Sequence, residues 1–102
     1  MNVSELFNLG NAFYNEGRVE TAMDIWNKVI AADSNFGPVH LNQHNIYRSQ
    51  GNLFKARESL IRFLNCPVTG MSQDSIPAIK AQLAQLDQQL NPQQPTGPQV
   101  VK

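Results

Sequence analysis

Residues 9–33 read LGNAFYNEGRVETAMDIWNKVIAAD, and the fold follows from this run. Leu6, Leu9, Gly10 and Phe13 fall at helical spacing on one face. Asn15-Glu16-Gly17-Arg18 breaks that helix, and Gly17 suits the left-handed conformation that ends helices. A second helix starts near Val19-Glu20 and buries Ala22, Ile25, Trp26, Val29 and Ile30. It stops around Asp33-Ser34-Asn35, a cluster of turn-forming residues.

Working outward, an offset of 34 residues lines this unit up with the next. Asn8 falls on Asn42, Asn11 on Asn45, Phe13 on Tyr47, Gly17 on Gly51, Ala22 on Ala56, Trp26 on Leu60 and Ile30 on Leu64. In the second unit Pro38 suits a first helical turn, and Leu41, His44, Ile46 and Tyr47 carry the first helix. Gln50-Gly51-Asn52 is the turn, and Leu53, Ala56, Leu60, Phe63 and Leu64 carry the second helix, which ends before Pro67. After a linker with Pro67 and Gly70, a fifth helix is predicted, capped by Asp74 or Ser75. Its Ile76, Ile79, Leu83, Leu86 and Leu90 form one apolar stripe. The tail 91–102, NPQQPTGPQVVK, has three prolines and no core-forming pattern, so it reads as disordered.

The residues Leu6, Leu9-Gly10, Phe13, Gly17, Ala22 and Trp26, with their 34-residue period, resemble the tetratricopeptide repeat (TPR). The resemblance covers Val3 to about Leu64, two full repeats. It implies an all-α fold, a right-handed α-α superhelix of two helical hairpins closed by a C-terminal capping helix. The domain would span 1–90, with repeats at about 3–36 and 37–66 and the cap at about 74–90. The second repeat departs from the family at Gln43, where a leucine is usual, and at His44 and Phe63, where small residues are usual. Those departures suggest a wider or shifted helix pair. Independently of the resemblance, each hairpin is too small to bury its own apolar face, so neighbours must stack, and one continuous core is expected.

One hundred and two residues make one small domain. Eight Lys and Arg balance eight Asp and Glu, so there is no basic footprint for nucleic acid. No apolar run approaches a membrane span, and the N-terminus has no secretory signal pattern. A single cysteine, Cys66, excludes an intramolecular disulfide. The expectation is a soluble, cytoplasmic protein without membrane or nucleic-acid partners.

Candidate chemistry is sparse. His40 and His44 share a helix face, but Leu41 follows His40 where a zinc protease helix carries Glu, and no third ligand is evident. Both read as structural, and no metal or cofactor is expected. Cys66 has no sequence-near base to activate it. The cations Arg48, Lys55, Arg57 and Arg62 read as a solvated face with ion pairs from Arg57 or Arg62 to Glu58. Trp26 reads as core. With no paired carboxylates, phosphate loop or serine elbow, an enzyme is not expected.

The feature that points to function is a polar row. Asn8, Asn11 and Asn15 lie at 3 and 4 spacing on the first helix, and Asn42, Asn45 and Ser49 repeat the pattern. Phe7, Tyr14, Leu41 and Arg48 flank it. Asparagines donate and accept, so such a row can pair with an extended backbone; an ordinary solvated face is the alternative. The resemblance implies that the first helix of each hairpin lines a concave groove. Family members that clamp chaperone C-termini combine asparagines with lysine or arginine; Asn11 and Asn42 match, but Phe7 stands at one cationic place and only Lys80 is nearby in the last helix. The expected function is therefore a non-enzymatic protein–protein interaction module that holds a peptide or protein partner in the groove. Its alternative is a self-association module, a homo-oligomer formed through an exposed repeat edge or the last helix.

Overall fold

The computed structural model describes residues 1–67 and 73–90; the tail expected at 91–102 lies outside the described residues. The chain forms α1 (Val3–Asn15), α2 (Val19–Ala32), α3 (Gly37–Ser49), α4 (Leu53–Leu64), a short 3-10 turn (Gln73–Ser75) and α5 (Ile76–Leu90). No strand occurs among the described residues. The all-α expectation holds, and the helix boundaries fall within a residue or two of those read from the sequence.

Local chemistry sets the boundaries. Asn2 caps α1: its side chain accepts from the Glu5 N–H at 2.8 Å, and the Glu5 carboxylate accepts from the Asn2 N–H at 2.9 Å. Asn52 caps α4 by accepting from the Lys55 N–H. Gly17 and Gly51 both take the left-handed conformation, with φ of 84° and 77°. The hydrogen bonds around them repeat with the same 34-residue offset. Arg18 N–H donates to the Phe13 carbonyl at 2.9 Å and Asn52 N–H to the Tyr47 carbonyl at 2.8 Å. Ala22 N–H donates to Arg18 and Ala56 N–H to Asn52, both at 3.0 Å. The sequence repeat is therefore also a repeat of backbone geometry.

The helices pack in chain order: α1 on α2, α2 on α3, α3 on α4, and α4 on α5. Trp26 is 1% exposed. Its indole lies against Gly10, where an added Cβ would sit 2.3 Å from Nε1, and its N–H donates to the Phe7 carbonyl at 3.3 Å. Gly10 thus permits the close approach of α1 and α2. The neighbouring Leu9, expected on the same face, is instead 37% exposed. As an end helix of the stack α1 has few neighbours, so its buried stripe is narrow.

The expected continuous core is divided in two. One cluster holds Ala22, Trp26, Val29, Val39 and Ile46. The other holds Ala56, Leu60, Phe63, Ile79 and Leu86, with Leu41 and Tyr47 of α3 against it. Helix α3 contributes to both, and it also buries His40, Gln43 and His44. The large residues His44 and Phe63 are both fully buried.

Polar contacts fix the neighbours. His44 Nδ1–H donates to the Ala56 carbonyl of α4 at 2.8 Å, and His40 Nε2–H donates to the Ser34 carbonyl at 2.8 Å. Gln43 Nε2 donates to Asn27 Oδ1 of α2 at 2.9 Å. Arg57 pairs with Asp87 of α5 rather than with the adjacent Glu58. Successive helical residues do not face each other, so a partner across the helix interface wins. Arg62 forms no ion pair with Glu58 among the described residues.

Candidate functional site

The asparagine row lies on two helices, α1 and α3, that are joined by one side-chain hydrogen bond. Asn42 Nδ2 of α3 donates to Asn11 Oδ1 of α1 at 2.9 Å. This bond joins the two halves of the row and uses part of the hydrogen-bonding capacity of both amides. Each still has free donors or acceptors, because a carboxamide offers two N–H groups and two lone pairs. Asn8, Asn15 and Asn45 are exposed.

The flanking residues divide. Tyr14 is 46% exposed, with its ring resting on Trp26 at 6.1 Å between centroids. Arg48 is exposed and makes no ion pair among the described residues. Phe7 turns inward: it packs edge-on against Phe36 at 5.1 Å and tilted against Trp26 at 6.5 Å. Leu41 is half-buried against the second core cluster. Of the residues expected to line the groove, the freest are Asn8, Tyr14, Asn15, Asn45 and Arg48; Asn11 and Asn42 hold each other, and Phe7 and Leu41 serve packing.

A cleft between α3 and α5 extends this surface. It is lined by His44, Arg48, Gln82, Gln85, Leu86 and Gln89. The glutamines lie off the apolar stripe of Ile76, Ile79, Leu83, Leu86 and Leu90, and the sequence does not assign them to a site. The signal was present: Gln82, Gln85 and Gln89 recur at 3 and 4 spacing, as the asparagines do. His44 Nδ1 is held by Ala56, and its Nε2 is buried with no hydrogen-bond partner. The Ala56 carbonyl can only accept, so in the neutral ring Nε2 carries a lone pair. Leaving such an acceptor buried and unpaired costs about 1–3 kcal/mol.

His40 and Cys66 meet at the same carbonyl. Cys66 Sγ lies 3.2 Å from the Arg62 carbonyl and 3.9 Å from that of Ser34, which also accepts from His40. Burial, and secondarily the Asp33 carboxylate, push the Cys66 thiol above its ordinary pKa. A raised pKa keeps the sulfur as a thiol, the weaker nucleophile. Among the described residues no group of three or more His, Cys, Asp or Glu side chains could hold a metal ion. No helix among them is long and apolar enough to cross a membrane.

Comparison with models of known families, with curated proteins and with solved structures finds no match in any of the three.

Proposed function

We propose that this chain is a TPR-like, non-enzymatic interaction module that holds a peptide or protein segment along the adjoining faces of α1 and α3. The observation that carries this reading is the Asn11–Asn42 bond, which sets one exposed polar row beside the other. Along that seam Asn8, Asn15 and Asn45 offer donors and acceptors, Tyr14 offers an aromatic face and Arg48 a cation. The repeat of turn geometry at Gly17 and Gly51 supports the hairpin-repeat assignment, and with it a superhelical course capped by α5. We place the protein in the cytoplasm, in keeping with its single free cysteine.

The test is selective loss of a partner. The full chain and the variant Asn45→Ala/Arg48→Ala are used to capture partners from native lysate, and the recovered partner is then titrated in purified form. The groove reading expects weakening by about 1–3 kcal/mol with unchanged thermal stability. Equal binding by the variant, with loss on Phe54→Ser instead, would place the contact on α4 and reject the groove.

Self-association is the second reading. Phe54 is 67% exposed, and the chain has no net charge to oppose contact between copies. Light scattering across concentration separates the two: a dimer that dissociates on dilution, and that Phe54→Ser abolishes, favours association.

A further inference from the structure

We propose that the cleft between α3 and α5 is a binding site for a side-chain carboxamide, the group of an asparagine or glutamine in a partner segment. The proposal extends the groove reading onto α5, and its test uses no partner protein, so the two can fail separately.

The floor of the cleft is His44, fully buried, with Leu86 beside it; Arg48, Gln85 and Gln89 are exposed at the rim. The space is about 20 Å3, room for about one water-sized group, so only the tip of a side chain enters. The chemistry of the walls selects that tip. In the neutral ring His44 Nε2 is an acceptor without a partner, because Nδ1 donates to Ala56. Arg48 is a donor without an ion pair among the described residues. Asp87, next to Leu86 in sequence, is occupied by Arg57 of α4, and no acidic residue lies on α3.

The bound group must therefore donate at its tip and accept at its flank. A carboxylate satisfies Arg48 but sets lone pair against lone pair at His44. An ammonium satisfies His44 but meets Arg48 with like charge. A primary carboxamide does both: its N–H donates to His44 Nε2, its oxygen accepts from Arg48, and the glutamine amides can pair with what remains. Because the imidazole is fully buried, the tip reaches it only as the glutamine side chains part. Those are long, rim-side rotamers that move without shifting a helix.

The experiment titrates the full chain with N-acetylglutamine N-methylamide, its glutamate counterpart and its norvaline counterpart, following the His44 ring nitrogens by 15N NMR. The glutamine compound should move the His44 Nε2 signal upfield, as expected when an acceptor nitrogen gains a donor. It should bind at least about fivefold more tightly than the other two, the size of one net hydrogen bond. Gln85→Leu and Arg48→Met, both at exposed positions, should each reduce that preference without unfolding the chain. Tighter binding of the glutamate compound through Arg48 would overturn the proposal in favour of an anion site. No movement of the His44 signal with any compound up to solubility would show that the cleft holds solvent alone, and would equally overturn it.

Discussion

Replacing Gly10 by alanine tests the packing of the first hairpin most directly. A Cβ there would lie 2.3 Å from Trp26 Nε1 and 2.6 Å from Cδ1. Neither atom can retreat freely, because the indole is 1% exposed and flanked by Phe7 and Tyr14. Overpacking of this kind costs about 1–3 kcal/mol. Displacing the indole also breaks its bond to the Phe7 carbonyl, about 1 kcal/mol more. Against this, alanine gains about 1 kcal/mol of helix propensity over glycine. The net expectation is a loss of about 1–3 kcal/mol, or a fall in melting temperature of roughly 5–20 °C for a domain this size. Urea denaturation followed by circular dichroism and tryptophan fluorescence measures it. Ala12→Gly, at an exposed position of the same helix, calibrates the propensity part and should cost about 1 kcal/mol. Trp26→Phe in the Gly10→Ala background should recover part of the loss, with a coupling of about 1 kcal/mol or more. A neutral or stabilising Gly10→Ala would refute the close approach of α1 and α2.

Other outcomes follow from the same geometry. Trp26→Ala should cost about 3–5 kcal/mol in chemical denaturation, since the whole indole leaves a packed site. Gly51→Ala should lose about 1–2 kcal/mol from its positive φ alone, with open space around the new methyl group, so a neutral result would contradict the left-handed turn. The Arg57–Asp87 pair is partly exposed, so a double-mutant cycle should give no more than about 1 kcal/mol and shrink in high salt. Long-range 15N spectra should show His40 protonated at Nε2 and His44 at Nδ1; the opposite tautomers would contradict the bonds to Ser34 and Ala56. For Cys66 the folded pKa lies above the ordinary 9.0, so its contribution to stability is complete below about that pH and is lost as pH rises through the folded value. The pH dependence of unfolding should therefore be less steep above pH 9 in Cys66→Ala than in the parent.

The sequence by itself determined the helices, their turns and the anchors of the core, though not its full membership: Leu9 is exposed, while Val39, His40, Gln43 and His44 are buried. Apolar residues three and four apart select one face of a helix, and a glycine with positive φ marks each turn; both are local effects that need no knowledge of neighbours. Trp26 and Leu60 could be placed inside on that basis, and Gly17 and Gly51 at the turns. Only the tertiary structure decided which polar side chains work as pairs. Asn11 meets Asn42, Gln43 meets Asn27, and Arg57 meets Asp87 across helix interfaces. Helical periodicity says which way an amide points but not what stands opposite, and an amide reads the same whether it faces water or a partner. The same indifference hid the inward turn of Phe7 and the lone pair of His44 beneath α5. Those depend on how closely and at what register one helix lies on the next, which is set by the sum of side-chain volumes between them and is written at no single position.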